Sequence, residues 1–254
     1  MNWVFNTKAV AIKTEVVHAT HRVASVADFY ALKEDWDANT LGNELQTIAY
    51  SNGTKDWVIA LAADLDFTGE TRVNDKAGFG SNYAADANLA EGGWSNPDFD
   101  PRLANFCGIF DGRGYAIKNA EFVNGFCCNL NDSGVIRNLA IINAKVLGGG
   151  GVLGNYGRGT VENCYINGEL GGSGAQAALY YYTSGTKLVV KNVIMNITVK
   201  AGVTANYCFV TSQSGAGNKP NTVEHCYGIS DKLEKIWSGD TTGGAGFSYK
   251  TVVQ

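Results

Sequence analysis

Phe106-Cys107-Gly108-Ile109-Phe110-Asp111-Gly112-Arg113-Gly114-Tyr115-Ala116-Ile117-Lys118-Asn119 is the stretch on which the fold of this chain depends. A short apolar run meets a tight Gly-rich turn, and a second apolar run then ends in Asn. The end of that second run recurs. Ile117-Lys118-Asn119 is followed by Ile136-Arg137-Asn138, Val161-Glu162-Asn163, Val190-Lys191-Asn192 and Val223-Glu224-His225. In each triplet the aliphatic and polar residues share a face and the charged residue points away. Apolar residues one and three past the triplet, such as Leu139 and Ile141 or Cys164 and Ile166, are out of phase with it. The chain must therefore bend at the Asn to turn them inward. Alternation of this kind marks half-buried strands, and its recurrence around a bend marks a repeat architecture.

A repeat of short strands without helix winds more readily than it folds into hairpins in register. Each turn lies on the last, and equivalent side chains stack. Asn119, Asn138, Asn163 and Asn192, at successive separations of 19, 25 and 29 residues, are expected to form one such column. Each amide could bond the one above and the one below. Gly at the corners, as in Gly148 to Gly151, supplies left-handed backbone. The competing β-sandwich gives no reason for an Asn to recur at one phase. The expected fold is all-β, a right-handed parallel β-helix with a short N-terminal helical and extended cap.

The expected organisation is an extended segment, helix and cap strands over 1–67, an insertion loop over 68–104, rungs over 105–230 and a tail over 231–254. Ser25 with Asp28 three residues later is close to a capping box, and Val26, Phe29 and Leu32 fall on one helical face, so a helix is expected over about 26–34. Strands are expected at Asp56–Leu61 and Asp64–Phe67.

Asp64-Leu65-Asp66-Phe67 and the 106–119 stretch together resemble the "DIDL … F-x-G-x-F-D-G-x-G-x-x-I-x-N-L" signature of GLUG-type, pectate-lyase-like β-helix proteins. Gly151-Val152-Leu153-Gly154 resembles that family's "GG-L-x-G" step, and Ser25 to Leu32 fits its helical entry. The resemblance spans about 22–228 and departs from the pattern after 170, where Ala175 to Leu179 and Ala205 to Cys208 replace the expected steps. Members are mostly adhesin-like, cell-wall-associated or phage tail and fibre proteins. The resemblance implies a scaffold with at most glycan contact, and carries no catalytic residues.

The chain has 254 residues, 32 of them Gly and 3 Pro, enough for one large or two modest domains. A net charge of −4 offers no field to hold nucleic acid. No apolar run is long enough to span a membrane, and no signal peptide is read at Met1 to Asn6. The six cysteines (Cys107, Cys127, Cys128, Cys164, Cys208 and Cys226) include no C-x-x-C pair. Several fall on the apolar phase and read as reduced core thiols. The absence of a read signal peptide favours a virion component, assembled where thiols stay reduced, over a secreted adhesin. Expected partners are further copies of the chain, other virion proteins or a surface glycan.

In the long loop, Trp94, Phe99 and Tyr83 with Asn96 and Asp98 are the best candidates for sugar contact. Aromatic rings stack on sugar faces while amides and carboxylates meet hydroxyls. The loop could equally fold back and bury Trp94. Tyr180-Tyr181-Tyr182 must leave at least one ring outward, as a platform or a subunit contact. Asp64, Asp66 and Asp111 with Arg113 form the only set an acid-base lyase or hydrolase could use, although Asp111-Gly112 is also ordinary turn chemistry. His18 and His21 lack a metal-site spacing. No cofactor, metal or catalytic residue is expected.

Overall fold

In the computed structural model the described residues are 19–37, 58–70, most of 106–211 and of 222–237, and 247–251. The first described elements are β1 (His21–Val23), α1 (Val26–Asp37), β2 (Val58–Leu61) and β3 (Leu65–Asp66). Next come β4 (Ile109–Asp111), β5 (Ala116–Lys118) and β6 (Glu121–Phe122), then β7 (Asn129–Leu130), β8 (Val135–Arg137) and β9 (Ala140–Val146). They are followed by β10 (Gly150–Gly151), β11 (Gly154–Gly157) and β12 (Thr160–Leu170), and by β13 (Gln176–Ala177), β14 (Tyr180–Tyr182) and β15 (Val189–Val199). The last turns hold β16 (Cys208–Thr211), β17 (Thr222–Glu224), β18 (Cys226–Ser230), β19 (Lys235–Trp237) and β20 (Phe247–Thr251).

Every pairing among these strands is parallel, and the chain is a parallel β-helix. Among the described residues a 13-stranded front sheet runs from β1 to β20, and a 7-stranded back sheet closes the coil through β7, β10, β11, β13, β14, β16 and β19. The parallel sheet extends past both ends of the 105–230 segment. β1 pairs β2 and β2 pairs β4 upstream, while β18 pairs β20 downstream.

Inward residues of successive turns stack in columns. Ile59, Phe110, Ile136, Val161 and Val190 form one, and Leu65, Ile117, Ile141, Ile166 and Met195 another, all buried. Each such side chain contributes about 1.5–3 kcal/mol by leaving water. In the next strand that column holds Gly228, where a Cβ would strike the ring of Phe209 from the back sheet. Glycine is required there because the aromatic ring already fills the space.

The helix reaches Asp37, one turn beyond the expected end. Its start is a variant of the capping box: Ser25 Oγ accepts from the Asp28 N–H at 3.1 Å, and Asp28 reaches back one residue past the cap, accepting from the Ala24 N–H at 2.9 Å. Phe29, Tyr30 and Leu32 are buried, and Phe29 packs edge-on to Phe67 with ring centroids 5.4 Å apart and stacks on Phe126 at 6.3 Å. The helix thus seals apolar side chains that an uncapped coil would leave wet.

The phase of the first rung differs from the sequence reading. Ile136 lies over Phe110, and Arg137 over Asp111. Ile117 lies under Ile141 instead. The repeat step there is 26 residues (137 − 111), not 19. Two similar triplets, one on each side of a corner in consecutive rungs, had the same sequence appearance.

Candidate functional site

The bends are built by asparagines in left-handed backbone. Asn119, Asn138, Asn143, Asn163 and Asn192 have φ between 52° and 57°, and His225 has φ 51°. Asn tolerates this region better than other side-chain-bearing residues because its short amide can bond locally. Asn138, Asn163 and Asn192 stack as one column: Asn192 Nδ2 donates to Asn163 Oδ1 at 3.0 Å, and Asn163 Nδ2 to Asn138 Oδ1 at 3.3 Å. Asn138 Nδ2 donates in turn to Asp111 Oδ1 at 3.1 Å.

Asn119 does not belong to that column, which corrects the single ladder of four. It stands at a second corner, where Asn143 Nδ2 donates to Asn119 Oδ1 at 2.7 Å and Asn119 Nδ2 to Asp66 Oδ1 at 2.9 Å. Asn167 continues the line, accepting from the Asn143 N–H at 2.9 Å and donating to the Asn196 carbonyl at 3.0 Å. Asn143 and Asn167 were missed. Their signal was present, since Asn119, Asn143 and Asn167 are each 24 residues apart.

Both ladders have the same polarity. The amides of Asn192, Asn163 and Asn138, and those of Asn143 and Asn119, donate toward the N-terminal rung, where a carboxylate receives the last bond; Asn167 alone among the ladder residues donates the other way, to the Asn196 carbonyl. The aligned amide dipoles present their positive end to Asp111 and to Asp66, as a helix N-terminus does to an anion. Asp111 is buried and also accepts from the Arg113 N–H at 2.9 Å and from Arg137 Nε at 3.0 Å. The Asn119 amide, with the Thr68 hydroxyl and N–H, holds the Asp66 carboxyl down to about 2. Asp64 bonds the Lys118 ammonium at 2.7 Å and accepts from the Ala116 N–H at 2.8 Å. The ammonium lowers the Asp64 carboxyl against a smaller opposing effect of burial, and Lys118 is raised in return.

The outward face of the front sheet carries its own columns. Arg137, Glu162, Lys191 and Glu224 form a charged one, with Lys191 to Glu224 bridged at 3.2 Å. Two residues past each ladder position lie Ala140, Tyr165, Ile194 and Tyr227 in register. Ile194 and Tyr227 are 36% and 37% exposed, two of the four large apolar side chains most open to water among the described residues. Beyond them run Asn167, Asn196 and Ile229.

Tyr83, Trp94, Asn96, Asp98 and Phe99 lie outside the described residues, as does His18. Within the tyrosine triplet, Tyr180 is buried, and a Cβ on Gly157 would strike its ring; Tyr181 is half-buried. Cys164 and Cys226 occupy one inward column with Val193 between them, and burial pushes the Cys164 thiol up to about 12. Each thiol lies 3.2 Å from a backbone carbonyl, that of Glu162 and of Glu224. Among the described residues, no three His, Cys, Asp or Glu side chains converge as a metal site would, and no helix is long and apolar enough to cross a membrane. No family model, curated protein or solved structure matches this chain.

Proposed function

We propose that the protein is a non-enzymatic β-helix of the GLUG-like kind, serving as a structural and attachment module of a virion (fibre, tail or capsid decoration) and contacting surface glycan. The observation that carries this reading is the state of the acids. A lyase or hydrolase on this scaffold needs a carboxyl group poised near neutral pH and open to substrate. Asp64 and Asp66 are held in the opposite direction, and Asp111 is buried under three internal bonds. Asp66 and Asp111 terminate the ladders and Asp64 is engaged by Lys118 and the Ala116 N–H, which leaves little capacity for chemistry.

The buried thiols favour the virion over a secreted adhesin. Cys164 and Cys226 are separated by a full rung and are not paired, which suits a protein assembled in a reducing compartment. Association with further copies or with other virion proteins is part of the proposal, since a β-helix has two ends to cover.

The test of the non-enzymatic part is incubation of the full chain with neutral and acidic polysaccharides, following reducing ends and unsaturated products. No turnover is expected. Turnover abolished by Asp111→Asn in a variant that stays folded would reverse the assignment. Immunolabelled electron microscopy of the source would separate a particle-bound protein from a cell-surface one.

A further inference from the structure

We infer that the outward column Tyr165–Ile194–Tyr227, with the asparagines on either side, is a binding track for an uncharged, extended polysaccharide lying along the coil axis. The inference rests on the proposed attachment role and gives it residues other than the loop candidates Tyr83, Trp94, Asn96, Asp98 and Phe99.

Three observations carry it. The first is composition. Tyr165, Ile194 and Tyr227 stack in register on three consecutive strands, and the last two are among the most exposed large apolar side chains of the described residues. Tyrosine combines an apolar ring face for the C–H face of a sugar with a hydroxyl that can bond outward.

The second is the flanking amides. Asn163 and Asn192 border the column on one side, Asn167 and Asn196 on the other. Asn192 spends one N–H on its ladder bond and Asn163 spends one N–H and one acceptor position, which leaves further donor and acceptor capacity on each. Ladder bonds already fix the amides of Asn163, Asn192 and Asn167, so a ligand need not order them, and that lowers the cost of binding. Adjacent donors and acceptors at fixed spacing are what vicinal sugar hydroxyls bond.

The third is charge. Neighbouring ionic side chains are matched along the axis: Lys191 with Glu224 at 3.2 Å, Arg137 with Asp111 at 3.0 Å and Lys145 with Glu121 at 3.2 Å. The face therefore lacks a field that would select an anionic polymer or nucleic acid. Periodicity selects among uncharged partners. Tyr165 and Tyr227 are two strand spacings apart, roughly 10 Å, commensurate with the disaccharide repeat of an extended β-linked glycan. A ligand with its own period gains contacts in step with the rungs.

The experiment is titration of the full chain by calorimetry with neutral β-linked gluco- and xylo-oligosaccharides of increasing length, with oligogalacturonate as the charged comparison. Affinity is expected to rise with length until the oligosaccharide spans both tyrosines, to be insensitive to salt, and to fall about tenfold for each of Tyr165→Ala and Tyr227→Ala. Tyr115→Ala, exposed but outside the column, should bind as the parent does. Circular dichroism melts confirm that the variants fold, and Tyr227→Phe, which keeps the ring, should retain most of the affinity.

Binding by the parent chain that survives both Tyr→Ala changes overturns the track and leaves the attachment role standing. Absence of any binding by the parent overturns both the track and the glycan part of that role. Preference for oligogalacturonate, or a parent chain whose dimer dissociates on Tyr227→Ala, would assign the face to an acidic polymer or to a second copy and would also overturn the inference.

Discussion

The two corners of the front sheet use the same residue for different lengths of the coil. At the first, Asn138, Asn163 and Asn192 bend three consecutive turns, with His225 in the same left-handed conformation on the next. At the second, only Asn119 and Asn143 are left-handed. Between Ile166 and Gly168 the register shifts, because β9 spends three residues from Ile141 to Ala144 where β12 spends two. The extra residue makes the bend as a bulge does. Without it, Asn167 sits in ordinary extended backbone, and β12 and β15 run unbroken for 11 residues each. One residue per turn thus decides whether the wall has two corners or one. The stretch beyond the first corner, uninterrupted by a second, also carries the Tyr165–Ile194–Tyr227 column.

The contrast is sharpest under β-branched substitution. Asn163→Val places a side chain that resists left-handed backbone at φ 54° and removes two ladder bonds. A loss of about 3 kcal/mol is expected, seen as a drop in thermal midpoint on the order of 10 °C. Asn167→Val, in extended backbone where valine is at home, should cost about 1 kcal/mol for its lost bonds. Equal losses would mean that both positions bend the chain.

Acid should strain the second corner through Asp66. Its carboxyl is held at about 2 in the fold, against 3.8 for the free side chain. A depressed carboxyl stabilises the fold above the unfolded value, and that contribution is lost as pH falls from 3.8 through about 2. Asp66→Asn, which keeps an acceptor for Asn119, should flatten this limb of the midpoint-against-pH curve. A curve of unchanged shape would remove Asp66 as the titrating group.

The smallest effect is expected at the Asp64–Lys118 pair. Both side chains are substantially exposed, 47% and 35%, so solvent screens the attraction. Lys118→Ala should leave the thermal midpoint unchanged within error. A clear drop would give this ion pair a structural weight comparable to that of the ladders.

Much of this architecture was legible in the triplets. The alternation that puts Val161 inward and Glu162 outward, and the switch that puts Cys164 and Ile166 back inside, required a bend at Asn163, and the left-handed φ is that bend. The phase of the first rung was not legible. Ile117-Lys118-Asn119 and Ile136-Arg137-Asn138 obey the same local rule, and only strand register assigns them to different corners. The second ladder was hidden because Asn143 and Asn167 lack the preceding aliphatic–charged pair. The outward column was not legible because Tyr165, Ile194 and Tyr227 are not of one residue type and stand two past each triplet, between the inward apolar positions at one and three, so only register reveals that they stack. The carboxylates were weighed as turn chemistry against an acid-base set, and neither alternative identified Asp66 and Asp111 as ladder termini, which depends on bonds to Asn119 and Asn138 tens of residues away.

The two-corner account is tested most directly by double-mutant cycles that use Asn→Gly, which removes the amide while keeping left-handed backbone accessible. Asn119 and Asn143, which share a 2.7 Å bond, should show a coupling of about 1 kcal/mol in unfolding free energy. Asn119 and Asn138, at different corners, should be additive to within about 0.5 kcal/mol. Coupling between Asn119 and Asn138 with none between Asn119 and Asn143 would contradict the register on which the fold and the outward track both rest.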